Sequence, residues 1–321
     1  MLSALSGKDV RVLVLGSGKI GHEVNARGVA AALGCEVEWR SVDPRPLFGR
    51  LAPWGPPDPR DRAELLGKPL PDIVIASGRV TVPYIRALKN AGGKQVFAVF
   101  LQDPRFSRNI FDLIWTPAHD SYRADNVVVT LTSPHPFSQS RLAAVRQNPD
   151  SRVAALSAPR CAIILGGPSG AQYFTTDDLD RMREATRAIA AQGFAVIATP
   201  SRRTPPELTQ AVRQGLGDAP GFVWDGEGEN PYPSLLALAD AILVTGDSAN
   251  MVGEATATGA PVHVFEPSGG KSRKLGSAID ELIRLGAARR WEGRIEYFSY
   301  EPIDSSAIIA AEIAKRFHQK R

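Results

Sequence analysis

Short apolar runs, each closed by a glycine-rich or polar turn, recur along the chain. Val10–Leu15, Val37–Val42, Asp72–Ala76, Gln95–Leu101, Asp112–Trp115 and Asn126–Val129 read as strands in the first half. Cys161–Leu165, Phe194–Ala198, Phe222–Asp225, Ala241–Val244 and Val262–Phe265 read as strands in the second. Between them, apolar residues at helical spacing predict helices over Glu23–Leu33, Val82–Ala91, about Thr176–Gln192, Pro206–Gln214 and Ser234–Ala239. Runs that are continuous rather than alternating predict strands covered on both faces, hence mostly parallel sheets wound with helices. A polar turn cluster, Gln147–Arg152, marks the expected boundary between a first domain, 1–152, and a second, 153–321. The expected fold class is therefore α/β, with two Rossmann-like, doubly wound domains facing across a cleft.

Ligands of parallel sheets sit above strand-to-helix turns, where backbone N–H groups and the helix dipole face the crevice. In the second half the apolar run ending at Val244 enters Thr245-Gly246-Asp247-Ser248-Ala249-Asn250. A helix of about three turns carrying Glu254 follows and stops at Gly259 and Pro261. Cys161–Leu165 enters Gly166-Gly167-Pro168-Ser169, and Phe194–Ala198 exits through Thr199-Pro200-Ser201-Arg202-Arg203-Thr204-Pro205. An arginine pair at a strand exit can grip phosphate with its planar fork.

The first half has its own glycine turn, Gly16-Ser17-Gly18-Lys19-Ile20-Gly21-His22. Gly16, Gly18 and Gly21 match the dinucleotide spacing, with Asp43 where a ribose-binding acid would stand, so NAD(P) binding is one reading of this turn. A P-loop is excluded, because Ile20 follows Gly18-Lys19 where Ser or Thr is required. His22, at the edge of a helix N-terminus, is expected to be a neutral imidazole able to accept a proton near pH 7; a capping histidine is the alternative. Gln102-Asp103-Pro104-Arg105 and Thr116–Asp120 follow strand ends and belong to the same set of candidate loops. Leu47–Trp54 mixes apolar groups with Arg45 and Arg50 nearby; it is expected to tuck its aromatic residues under the domain, with contact to a membrane surface or a lipid-linked substrate as the alternative.

Composition narrows the classes. Of 321 residues, 43% are hydrophobic and 22% charged, ordinary for a globular protein. No apolar run has the length of a membrane-spanning helix, and Met1–Asp9 lacks a secretory signal pattern, so a cytoplasmic protein is expected. Cys35 and Cys161 each open an apolar run and read as core residues rather than as a disulfide or metal pair. The net charge of +4 suits phosphate ligands or an anionic surface and is too scattered for nucleic acid. Asp178-Leu179-Asp180 has the acidic spacing of metal-dependent sugar transferases but falls in the first turn of a helix, where the dipole favours carboxylates; no metal site is assigned.

Seven segments resemble, in order, the bacterial family related to the plant mitochondrial-fission protein nicknamed "elongated mitochondria", which is GT-B glycosyltransferase-like. They are Gly18–Ala26, Gln102–Arg105, Phe111-Asp112-Leu113 with His119-Asp120, Gly166–Ser169, Ser201–Pro205, Gly228–Tyr232 and Thr245–Met251. The chain departs from the family at Ile20-Gly21-His22, where Pro-Gly-His is common, and at Thr130-Leu131-Thr132, where Thr-Leu-Gly is common. Gly16–His22 is also similar, more distantly, to the loop of the transferase that adds N-acetylglucosamine to lipid-linked peptidoglycan precursor.

The resemblance implies a metal-independent transferase whose donor is a nucleotide-sugar, with a UDP-sugar the first choice. Gly18 and Gly21 would face the acceptor and the donor phosphates, and so belong with the donor-binding residues. Gly166, Gly167, Ser169, Asp247, Ser248 and Asn250 would hold the nucleotide, with Arg202 or Arg203 at a phosphate and Glu254 on the ribose. His22 or Asp103 would be the catalytic base. A final helix, about 305–321, would cross back to the first domain, and a lipid-linked or membrane-surface acceptor would place the protein peripherally at the inner face of a membrane. A catalytically silent adaptor acting through protein or membrane contacts is the rival the same resemblance implies.

Overall fold

In the computed structural model, residues 10–320 are described; Met1–Asp9, read above for a signal pattern, lie outside them. The chain divides into two units, one running to Pro136 and resuming at Asp304, the other Phe137–Ile303.

The first unit holds strands β1 (Val12–Gly16), β2 (Val37–Ser41), β3 (Ile73–Ala76), β4 (Phe97–Leu101), β5 (Leu113–Pro117) and β6 (Val127–Thr130). All pair in parallel, in the order β2-β1-β3-β4-β5-β6. β1, β3, β4 and β5 are buried along their whole length, as strands covered on both faces must be, whereas the edge strand β2 has only half-buried and exposed residues. One face packs on helices Ile20–Leu33 and Ser305–Lys320, with Val29, Leu33, Ile309, Ile313 and Phe317 in the core. Leu65, Val82, Ile85 and Leu88 of helices Pro59–Leu66 and Val82–Gly92 cover the other face.

The second unit begins with β7 (Arg160–Leu165) and contains β9 (Ala195–Pro200), β10 (Gly221–Val223), β11 (Ala241–Thr245), β12 (Val262–Phe265) and β14 (Arg289–Arg290). These pair in parallel in the order β10-β9-β7-β11-β12-β14. A separate antiparallel pair joins β8 (Gln172–Tyr173) to β13 (Gly269–Gly270). Helix Arg273–Arg284 buries Leu275, Ala278, Ile279 and Leu282, a single apolar stripe.

Three expectations change. The units part after Pro136, not after Arg152, because Gln139–Gln147 and Ser151–Ala154 are tied to the second unit. Arg146 Nε donates to the Ala237 carbonyl at 2.7 Å, the Asp150 N–H donates to Ser234 Oγ at 2.9 Å, and Phe137 packs edge-on against Tyr232. The helix carrying Glu254, Ala249–Thr256, is shorter than its pattern and ends before the left-handed Gly259 (φ 81°). Of the aromatic residues of Leu47–Trp54, Phe48 is half-buried but Trp54 does not tuck under; it is exposed, as are Leu47 and Leu51 of helix Pro46–Leu51. The reason is that Arg79 and Arg86 already fill the underside, donating to the carbonyls of Ala52, Pro53, Trp54 and Gly55.

Candidate functional site

In each unit the strand order reverses beside the strand that enters first. Chain excursions leave β1 toward β2 on one side and β3 on the other, and leave β7 toward β9 and β11. At such switch points the loops at the carboxyl ends of neighbouring strands splay apart and leave a crevice. The crevice of the second unit lies between Gly166–Ser169 after β7 and Gly246–Ser248 after β11.

Its walls are built by polar side chains that satisfy backbone. The Gly166 N–H donates to Thr245 Oγ1 (2.7 Å) and the Gly167 N–H to Asp247 Oδ2 (2.9 Å). From the β9 exit, Thr204 Oγ1 lies 2.6 Å from the Gly166 carbonyl, and Arg203 Nη1 donates to the Pro168 carbonyl at 3.2 Å. This corrects the expectation that the glycine turn offers its amides to a ligand. The two glycine N–H groups are committed, Pro168 has none, and the Ser169 N–H goes to the Gln172 carbonyl.

The glycines matter as missing side chains. A Cβ on Gly166 would stand 2.1 Å from Asp247 Oδ2, and one on Gly167 would stand 2.0 Å from the Arg203 carbonyl oxygen. Gly167→Ala should therefore destabilise the fold by about 1–3 kcal/mol, since the atom in the way is backbone. Urea unfolding of the variant measures it, and an unchanged midpoint would contradict the packing described.

Open donors lie instead at the helix after β11. Helices starting at Pro59, Gln139, Thr176 and Arg273 are capped by the side chains of Asp58, Ser138, Thr175 and Ser272. Ser248, the N-cap of Ala249–Thr256, makes no such bond, so the first-turn N–H groups, Asn250's among them, have no side-chain cap. Ser248 and Asn250 are half-buried beside them.

Two buried carboxylates belong to this turn and helix, Asp247 just before the N-cap and Glu254 in the helix's last turn. Asp247 is 5% exposed and its Oδ1 has no hydrogen-bond partner. Burial raises its pKa, against the pull of Thr245, the Gly167 N–H and Arg203. Glu254, 7% exposed, receives the Tyr232 hydroxyl on Oε2 at 2.5 Å. Burial pushes Glu254 up to about 7, with the Tyr232 bond opposing. Tyr232 is thus part of the site, a residue the sequence reading quoted in Gly228–Tyr232 without a role. Both arginines of the pair are exposed, and Arg203 is braced on the Pro168 carbonyl.

In the first unit helix Ile20–Leu33 starts three residues earlier than its apolar pattern, so Gly21 and His22 lie in its first turn. Its N-cap, Lys19, also makes no side-chain cap. His22 Nδ1 is 2.9 Å from Ser17 Oγ. Gly78, after β3, closes against the ring: a Cβ there would stand 2.7 Å from His22 Nδ1 and 3.0 Å from Ser17 Oγ. Burial, and then the charge of Lys19, hold His22 below the usual histidine range, so it is neutral at pH 7. Gly18 (φ 72°) is exposed, with open space where a Cβ would sit.

Asp103 is differently placed. Arg108 grips it with Nε (2.9 Å) and Nη2 (2.7 Å), and the Arg105 N–H donates to Oδ1 (2.8 Å). Burial would raise its pKa, but these donors outweigh it and hold the carboxyl below its ordinary value. The loop around it holds Gln102, Arg105 and Ser107 at positive φ, the only non-glycine residues so placed among the described residues. Asp178 caps its helix as expected from its position, accepting the N–H groups of Thr175 and Ser268, each at 2.9 Å. Among the described residues no group of three His, Cys, Asp or Glu is placed to hold a metal.

Fold and switch points together define a GT-B-type protein, two Rossmann-like six-stranded units on one chain. UDP-GlcNAc 2-epimerase of Methanocaldococcus jannaschii shares this fold (TM-score 0.57, 12% identity, covering 96% of this chain and 99% of that one). So does MurG of Acinetobacter baumannii (TM-score 0.50, 14% identity, covering 97% and 93%). The chain belongs to the mitochondrial fission ELM1 family, whose model matches residues 20–317. The mitochondrial fission protein ELM1 of Arabidopsis thaliana is 29% identical over 272 residues, 76% of this chain. That match spans 64% of the plant protein's length.

Proposed function

We propose that the chain binds a nucleotide-sugar on its second unit and transfers the sugar without a metal. The observation that carries this reading is the uncapped helix end at the β7/β11 switch point, with buried Glu254 on the same helix. The first-turn N–H groups of Ala249–Thr256 face the diphosphate and stabilise the charge that builds on it as the sugar leaves. Glu254 Oε1, left open by the Tyr232 bond, accepts a ribose hydroxyl. Arg202, the unbraced member of its pair, reaches a phosphate.

His22 supplies the base. An acceptor hydroxyl attacks the anomeric carbon while the imidazole takes its proton, and the bond from that carbon to the diphosphate oxygen breaks, its electron pair leaving with the nucleoside diphosphate. Between the two base candidates the neutral, partly buried His22 suits proton acceptance, whereas Asp103, held ionised by Arg108, is a weak base that braces its loop.

A second reading, an adaptor that keeps the fold and acts through contacts, is favoured by the self-satisfied glycine turn, which needs no ligand to hold its shape. A thermal-shift panel of UDP, GDP, CMP, their sugars and NAD separates the readings. At 100 times its dissociation constant a nucleotide should stabilise the protein by about 2.7 kcal/mol. UDP goes first because the fold is shared with a UDP-GlcNAc 2-epimerase. Stabilisation should persist in EDTA and be lost in Glu254→Ala. A response to NAD alone would sink the transferase, and silence across the panel would favour the adaptor.

A further inference from the structure

One surface has no part in the reactions above. Leu47 and Leu51 lie one turn apart on helix Pro46–Leu51, and Trp54 follows after a tight turn in which its N–H bonds the Leu51 carbonyl at 3.1 Å. Trp54 packs edge-on against Phe106, with ring centroids 4.6 Å apart. All four are exposed large apolar residues, Leu47 at 63% and Trp54 at 64%. Scattered exposed leucines are normal, but four apolar groups gathered from two loops form a patch that calls for a partner.

The patch is held rigidly. Arg86 Nη2 donates to the carbonyls of Pro53 (3.0 Å), Trp54 (3.0 Å) and Gly55 (2.6 Å), and Arg79 Nη1 to that of Ala52 (2.6 Å). Residues 102–107, which present Phe106, carry the three positive-φ side chains. Such fixed display lowers the ordering cost of docking.

Its charge is one-sided. No acidic residue stands between Asp43 and Asp58, while Arg45 and Arg50 do. Arg50 and Arg105 are exposed. Of the flanking carboxylates, Asp58 is buried against Arg45 and Asp103 is gripped by Arg108, while Asp43 is exposed. Beside Trp54 a cavity of about 540 Å³ is lined by Arg62 and Arg86 as well as by prolines. Leucine and tryptophan beside the exposed Arg50 and Arg105, which outnumber exposed Asp43, match an anionic bilayer: the apolar groups enter the headgroup boundary and the guanidinium groups meet phosphate.

We infer that this face of the first unit docks the protein peripherally on a membrane carrying anionic lipid. Among the described residues no helix is long and apolar enough to cross one. The inference stands independently of sugar transfer, since its patch includes neither His22 nor any residue of the second unit.

The full chain should sediment with vesicles of phosphatidylcholine containing about one third phosphatidylserine, and far less with phosphatidylcholine alone. Added salt should weaken binding. Leu47→Ala/Trp54→Ala should lower the partition coefficient by at least about tenfold, since two exposed apolar groups no longer enter the boundary. Arg50→Glu/Arg105→Glu should remove most of the preference for phosphatidylserine. Both variants change exposed side chains, and unchanged thermal unfolding confirms that they fold. The inference is overturned by absence of vesicle binding in the parent chain, or by binding that both folded variants retain. It is equally overturned if sedimentation equilibrium shows a dimer that Leu47→Ala/Trp54→Ala dissolves, which would make a second copy the occupant.

Discussion

His22→Ala is expected to slow release of nucleoside diphosphate from the bound donor by about a hundred- to ten-thousandfold, the range of a lost general base. Nucleotide affinity, read from the thermal shift, should stay at the parent value, because the diphosphate and ribose groups are assigned to the second unit. Burial and Lys19 hold the imidazole below the usual histidine range, so the parent rate should hold through pH 7 and fall only below the ordinary histidine pKa. Lys19→Gln removes the second of these causes and should move that acid limb upward. Equal loss of rate and nucleotide affinity in His22→Ala would mean that His22 binds the donor, and the division of roles would be abandoned.

The same histidine shows what sequence carried and what it did not. Its place after the first glycine turn was legible from Gly16, Gly18 and Gly21, because a strand-to-helix turn needs those residues. Its environment was not. Gly78, far along the chain, closes on the ring only because β3 lies beside β1, and a lone glycine after an apolar run gives no sign of that. Strands and their parallel pairing could be read from continuous apolar runs, since burial on both faces leaves that mark. The glycine turn of the second unit misled, because Gly-Gly before a helix reads equally as amides offered to phosphate or as space for a neighbouring carboxylate. Asp247 and Thr245 decide for space; Thr245 ends, and Asp247 follows, the strand β11, which pairs with β7 across a long separation in sequence. Trp54 was misjudged for a related reason: the arginines that support its loop from below stand at 79 and 86, outside any local pattern.

Glu254→Gln is expected to stabilise the protein by about 3 kcal/mol at pH 8 and to make little difference at pH 4.5. The buried carboxyl has its pKa raised from 4.5 to about 7, so the folded state holds a proton that the unfolded state has released over that interval. A raised carboxyl pKa means stability is fully present below the unfolded value and is lost as pH rises toward the folded one. The shift of about 2.5 units, at about 1.4 kcal/mol each, sets the size. Tyr232 titrates far above this window, and its hydroxyl can donate to the glutamine carbonyl as it does to Glu254 Oε2, so the packing is kept. Asp247 is also raised by burial and drains stability in the same direction, but it is present in both proteins and cancels in the difference. Urea unfolding of parent and variant from pH 4.5 to 8 should give curves that converge at the acid end and part toward pH 8. Parallel curves would show that Glu254 does not carry its charge into the interior. A carboxylate kept at this cost, on the helix whose first turn is left uncapped, is what a ribose contact would account for: Glu254→Gln should weaken the nucleotide as it firms the fold. A variant that gains stability and binds UDP as the parent does would leave the carboxylate without the proposed role.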